Sequence, residues 1–303
     1  MLQTKENRVH VEGILSEVDL KPTSFVKDGQ TKNAVGGQIK VRVYQRLAKT
    51  DTYDTILEIP IQMFASQYTN AGAPNPAYEN IMKVMNDFVS IAASDEEHAD
   101  RVRITNGSIR MNEYYSQTGS FVTFPRIHAS FINKIPKETC KPEATFSIAF
   151  AVGDLGYETD KDGVETDRYA VTGIVPLYGG KVDVIKFYAA NKNVAEALSQ
   201  YWTTGDTVSA VGKLNFSSSV ETVMKEVDFG EPIESTRTIT VSDLLITGGS
   251  STPFEGDAAF DGDDIAEALK ERKARIAALK DKKPAQKKAP AQNSTNKFKD
   301  LGF

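Results

Sequence analysis

The strand Lys40-Val41-Arg42-Val43-Tyr44-Gln45-Arg46 carries the sharpest chemical signal in the chain. Successive side chains of an extended strand point to opposite faces, so Lys40, Arg42, Tyr44 and Arg46 share one face while Val41 and Val43 turn inward. Such a face suits an unpaired polyanion. Cations meet phosphates with release of counterions, and a flat ring offers a base a stacking platform worth about 1–3 kcal/mol. The alternative is the solvated outer face of a half-buried strand, and the strand alone leaves both readings open.

Other residues extend the same chemistry. Tyr114 and Tyr115 are expected just past a fourth strand, in the loop before a fifth, where adjacent rings either stack on bases or pack on each other. Arg110, Phe124 and Arg126 flank that loop. In the second half, Tyr178, Lys181, Lys186, Tyr188 and Lys213 are the corresponding candidates. Their alternation is less clean, because Lys186 and Tyr188 continue the parity of Val182 and Val184, expected inside, unless a bulge intervenes. Trp202 ends a helical stretch and reads as a core anchor.

Catalysis finds little support. Three histidines, His10, His98 and His128, lie far apart with a single cysteine, Cys140, so neither a nucleophile–base pair nor metal-ligand spacing is visible. No glycine loop of the phosphate-cradling kind occurs. The expectation is a protein that is not an enzyme, with no cofactor and no metal.

The chain has 303 residues, 40% hydrophobic and 25% charged, with a net charge of −5. Lys and Arg against Asp and Glu number 16 and 16 over residues 1–140, 9 and 16 over 141–250, and 11 and 9 over 251–303. Any polyanion site must therefore be a local track within an acidic whole. A polar N-terminus, no apolar run approaching about 18 residues and one cysteine argue against export and membrane spanning, and for a cytoplasmic setting.

Three landmarks occur twice in the same order: Val11-Glu12-Gly13 and Val171-Thr172-Gly173, Gly36-Gly37 and Gly179-Gly180, and the runs ending at Gly107 and Gly212. They point to two copies of one β-rich unit. The first copy reads as a strand near 9–15, a polar loop from Lys21 to Gly37, strands at 38–46 and 56–61, a helix over 77–92, and strands at 101–112 and 121–135. That order belongs to the OB fold, a small Greek-key barrel. The second copy reads as strands at 168–178 and 181–188, a helix at 193–201, and strands at 206–216 and 236–246. A stretch at 143–152 suits an extra strand of either barrel, and 153–167 an exposed loop. The fold class is thus all-β dominated with short helices: OB domains over 1–140 and 141–250, and a tail over 251–303.

In the tail, Ile265, Leu269, Ile276 and Leu279 line one face of a helix over 263–281, interrupted by Arg272. Four anchors make a weak coiled coil at best, so oligomeric state stays open. Residues 283–297 lack an apolar pattern, and the chain closes on Asp300-Leu301-Gly302-Phe303.

These features resemble the single-stranded DNA-binding proteins of phages and bacteria, in a tandem OB-fold form. The span Val171 to Val182 and the acidic stretch with its phenylalanine-ended tip carry the resemblance. It implies sequence-tolerant binding of single-stranded DNA in replication or recombination. It also implies docking of partner proteins on Asp300, Leu301, Gly302 and Phe303. The chain departs from the pattern in placing a basic segment between the acids and the tip. The rival function is a protein-interaction module, a replisome adaptor or virion component, built on the same barrels without binding nucleic acid.

Overall fold

A computed structural model describes residues 2–48, 51–225 and 233–281. The chain is mostly β with few helices. In order come β1 (Asn7–Lys27), β2 (Gln30–Gln45), β3 (Thr55–Ser66), α1 (Pro76–Asp87), β4 (Arg101–Tyr115), β5 (Phe121–Ala129) and β6 (Asn133–Ile135). There follow β7 (Glu143–Thr159), β8 (Glu165–Pro176), β9 (Val182–Ala189), α2 (Lys192–Tyr201), β10 (Thr207–Lys225), β11 (Ile233–Gly249) and α3 (Gly262–Asp281).

Hydrogen bonding closes two rings of one order. The first runs β1-β2-β3-β5-β4 and back to β1; the second runs β7-β8-β9-β11-β10 and back to β7. In each, the third and fifth strands pair in parallel, β3 with β5 and β9 with β11. A helix follows the third strand in both. Asn75 caps α1 by accepting from the Ala77 N–H, with Pro76 in the first turn, and Asn191 caps α2 by accepting from Val194. Alternation fills the rings. On β2 and β3, Ile39, Val41, Val43, Leu57, Ile59, Ile61 and Met63 are fully buried while their neighbours face out. Phe150 stacks on Phe187 at 4.9 Å in the second core, with Trp202 edge-on at 5.8 Å. Trp202 is thus a core residue, and its indole N–H donates to the Ser250 carbonyl.

The rings are also joined edge to edge. The first half of β1 pairs antiparallel with the first half of β7, Asn7 opposite Ile148 through Glu12 opposite Glu143, so all strands form one continuous sheet. At this seam Glu12 is almost wholly buried and receives Arg103 Nε at 2.6 Å and the Lys141 N–H at 2.6 Å. Burial pushes its carboxyl up, but the bonds from Arg103 and Lys141 prevail and leave it below the ordinary range.

Several expectations are corrected. The segment from Lys21 to Gly37 is no loop: β1 and β2 run on as a long ribbon to a two-residue turn at Asp28-Gly29, both at positive φ. Asp-Gly is a strong signal for such a turn, because its twist matches that of the flanking strands. The span 153–167 likewise belongs mostly to β7 and β8, with a turn only between Thr159 and Glu165. The stretch at 143–152 is the first strand of the second ring, so Val171-Thr172-Gly173 lies on β8, the counterpart of β2 and not of β1. Gly36-Gly37 sits inside β2, whereas Gly179-Gly180 sits in the β8–β9 turn. Of the three repeated landmarks, only the third, on β4 and β10, occupies equivalent strands. Helix α1 ends at Asp87, five residues early, because Phe88 adopts an extended backbone.

Helix α3 forms where its periodicity placed it. Ile265 and Ala268 bury against Ala151, Ile174 and Val182 of the second ring and against Leu2 from the segment before β1, with Leu269 alongside. Arg272, which breaks the apolar stripe, meets Glu113 of β4 in an ion pair, and Arg275 joins the same carboxylate at 3.4 Å. The helix therefore touches both rings.

Candidate nucleic-acid interface

The outer face of β2 and β3 presents Gln38, Lys40, Arg42 and Tyr44 opposite Gln62, Pro60, Glu58 and Ile56 respectively. The cations there are answered by carboxylates. Arg42 donates from Nε to Glu58 at 2.6 Å and from a terminal nitrogen to Glu96 at 3.2 Å. The Glu58 hydrogen bond holds its guanidinium above the ordinary value. Lys40 lies 2.5 Å from Glu17, and the Tyr44 hydroxyl donates to Glu96 at 2.9 Å. Burial, then the Glu96 carboxylate, push that phenol up. Arg46 falls beyond the end of β2 and pairs loosely with Asp54 at 3.5 Å. The face is thus amphoteric where the sequence led us to expect a cationic strip. The acids come from β1, β3 and the segment before β4, which the pattern of β2 does not reveal.

This face is the floor of a groove. The second ring's long β10–β11 hairpin stands over it, so that Phe216 to Ser218 and Thr240 to Ser242 enclose with Lys40, Arg42, Glu58 and Pro60 a cleft of about 590 Å³. A second cleft, of about 430 Å³, continues from it, sharing Gln38, Pro60, Thr240 and Ser242 and adding Gln62, Phe124, Pro125 and Arg126. Arg126 lies 5.2 Å over the Phe124 ring and donates to Gln62 at 3.3 Å. Arg126 has no carboxylate partner among the described residues.

The β4–β5 hairpin continues the surface. Tyr114 and Tyr115 are not in its loop but on β4, paired with Val122 and Phe121. Alternation sends them to opposite faces. Tyr114, 44% exposed, meets Phe124 edge-on at 6.4 Å, whereas Tyr115 packs on Phe121 at 5.3 Å. Only Tyr114 shares the face of Arg110, Phe124 and Arg126. Arg110 stands across from Arg126, and its Nε is 3.5 Å from Asp183 of β9. His128, next along that face, is pulled below the ordinary imidazole range by burial and then by Arg110 and Arg126. Nothing in its spacing marked it beforehand.

The second ring's candidates scatter. Tyr178, 95% exposed, and Lys181 occupy the β8–β9 turn. Lys186 and Tyr188 do face outward, without a bulge. Ile185 and Phe187 are the inward pair, Val184 is outward, and Val182 is buried from outside, in the cluster that α3 covers. Lys186 binds Glu158 at 2.9 Å, which raises its pKa, and Tyr188 donates to the same carboxylate at 3.3 Å. Arg168, not singled out from sequence, lies 3.9 Å over the Tyr188 ring and reaches Asp243 at 3.1 Å. Lys213 sits apart, near the first ring, donating to the Arg46 carbonyl at 2.6 Å. Asp300, Leu301, Gly302 and Phe303 lie outside the described residues.

Among the described residues no group of three His, Cys, Asp or Glu side chains is placed to hold a metal ion, and no helix is long and apolar enough to cross a membrane. The YorF family model matches residues 5–282. Among solved structures, the wild-type single-stranded DNA binding protein from Thermus aquaticus is similar at 10% identity with a TM-score of 0.49, over 85% of this chain and 97% of that one. A deletion mutant of the same Thermus aquaticus protein gives 10% identity and a TM-score of 0.49, over 84% and 97%. No curated protein matches.

Proposed function

This chain belongs to the YorF family, and we propose that it is a non-enzymatic protein that binds single-stranded DNA with little regard to sequence, protecting it during replication or recombination. Its two rings are read as OB barrels in tandem, over 1–140 and 141–250, followed by a tail over 251–303 that recruits partners through its last four residues. A phage setting and a cytoplasmic location belong to the same reading.

The observation that carries it is the groove across β2, β3 and β5, floored by Lys40, Arg42, Pro60 and Phe124 and walled by a hairpin from the other ring. Two adjoining clefts that lead from Lys40 to Arg126 offer a flexible single strand a continuous bed. Its fittings are ones a polynucleotide uses without base readout: guanidinium and ammonium groups at the sides, rings for stacking. Because Lys40 and Arg42 already hold carboxylates, few net charges remain to displace counterions. Two or three phosphate contacts give a salt slope of roughly −1.4 to −2.1, so stacking supplies much of the affinity.

The experiment is fluorescence anisotropy of labelled oligo-dT against salt. Micromolar or tighter binding with a shallow slope fits, and absence of binding at micromolar protein in moderate salt refutes it. The neutralising carboxylates favour one rival, the protein-interaction module, since a charge-balanced groove also suits an extended peptide. A chain that ignores oligo-dT would be that module.

A further inference from the structure

The cleft between the β4–β5 hairpin and α3, about 520 Å³, gathers more positive charge than its own carboxylates answer. Arg110 and Arg126 oppose each other directly across the two strands, an arrangement that destabilises a hairpin when no anion stands between. Asp183 only partly answers them. Its side chain is 5% exposed, one of its oxygens already accepts the Met111 N–H at 2.9 Å, and Arg110 stays at 3.5 Å. Arg275 enters from α3, sharing Glu113 with Arg272 and standing 4.0 Å from Asp183. The Nε of Arg272 is buried with no hydrogen-bond partner. Three guanidinium groups, Arg110, Arg126 and Arg275, thus share a cleft with two buried carboxylates, one of them already held by Arg272, and the rim adds Ser108, Asn112 and His128.

We propose that this cleft is a phosphate-binding subsite for a polynucleotide backbone, with Arg110, Arg126 and Arg275 as its ligands. The guanidinium fork matches phosphate oxygens two at a time, which an ammonium cannot do. The subsite rests on the reading of the β2–β3 face as a single-strand track, and Arg126 connects the two, because it lines both clefts. Neighbouring strands lie about 4.8 Å apart, so a strand crossing from β2 over β3 and β5 to β4 travels about 15 Å around the ring. Helix α3, which the sequence offered only as a tail segment, becomes part of the interface and places Arg275 at the far end of the path.

The test uses the full chain with a dT dinucleotide, too short to span the path, and with oligo-dT of about 16 nucleotides, the upper end of the site sizes for a barrel of this kind. In Arg275→Ala, the longer oligonucleotide should bind about fivefold more weakly in 0.1 M salt, with a slope shallower by about 0.7, as expected for one lost phosphate. The shorter one, held in the β2–β3 groove, should bind as before. Arg275→Lys should retain the slope and lose part of the affinity. Should Arg275→Ala melt early, Ser108→Glu introduces a carboxylate at the cleft rim without touching α3, and should again weaken the longer probe alone. A wild type that binds both lengths while the variants match it overturns the subsite and leaves the track standing. A wild type that binds neither overturns both. Inorganic phosphate distinguishes the source: if it raises the melting temperature of the wild type and not of Arg275→Ala while long-probe affinity is unaltered, the cleft takes free phosphate and the backbone assignment fails.

Discussion

Glu58 is the residue whose removal should improve binding. Its carboxylate lies at the groove floor, one oxygen 2.6 Å from Arg42 Nε and the other accepting the Ser16 hydroxyl at 2.6 Å. Glu58→Gln keeps the side chain's length and its oxygen acceptor, and raises the groove by one positive charge. Arg42 remains held by Glu96 at 3.2 Å, so its guanidinium stays in place with Nε released. One more phosphate contact steepens the salt slope by about 0.7, which at 0.1 M salt is about fivefold tighter binding, or about 1 kcal/mol. The stability cost is small. Both partners keep more than a quarter of their side-chain surface in water, and pairs of that exposure contribute about 0–1 kcal/mol. Anisotropy titrations of oligo-dT at several salt concentrations, beside thermal unfolding of both proteins, provide the measurement. A folded Glu58→Gln with an unchanged slope, or with weaker binding, would show that Arg42 does not meet phosphate and that the groove is read wrongly.

Other outcomes follow from the same geometry. Tyr114→Ala and Phe124→Ala should each weaken oligo-dT by about 1–3 kcal/mol if the rings carry bases, whereas Tyr115→Ala, on the opposite face, should leave binding unchanged and reduce only stability. Replacing residues 217–241 by a short turn should leave the rings folded by circular dichroism and lower oligonucleotide affinity, since it takes Ser217, Ser218, Thr240 and Val241 from one wall of the groove. Phe187→Ala, which empties the stacked position against Phe150, should cost about 3–5 kcal/mol in denaturant unfolding. Glu12, with its pKa depressed in the folded state, contributes stability that is present above the ordinary carboxylate pKa of about 4.3 and is lost as pH falls through its folded value. Glu12→Gln should therefore cost about 1–3 kcal/mol at neutral pH and flatten the acid limb of the stability curve, read by urea midpoints from pH 7 down to about pH 3.

Periodicity alone made β2 and β3 legible. From Gln38 to Tyr44 apolar and polar positions alternate and burial follows them; on β3 burial alternates from Leu57 to Ala65, although the outward positions include the apolar Ile56 and Phe64 at its ends. The stripe of α3 was equally open to inspection. The Asp28-Gly29 turn is legible too, but its strands are polar near the tip, and a polar ribbon has the composition of a loop. The register of the repeat went astray because glycine marks bends at several kinds of place, within β2 in one half and at a turn in the other. Least legible was the charge balance of the groove. Glu17 and Glu58 stand directly opposite Lys40 and Arg42 on the neighbouring strands, and Glu96 reaches Arg42 and Tyr44 from the segment before β4, so the meeting depends on strand register and is encoded in no local pattern. Arg272 shows the same limit from the other side, a blemish on an amphipathic stripe that turns out to be its polar anchor.

The seam between β1 and β7 makes the two rings a single mechanical body. A linker permits hinge motion; a ladder of backbone hydrogen bonds from Asn7 to Glu12 does not, and the halves should melt together in one calorimetric peak. Severing the polypeptide between 140 and 143 would give each fragment a naked edge that is the other's natural complement. Mixed fragments should find each other and rebuild the whole, while either one stored alone should precipitate or pair with itself.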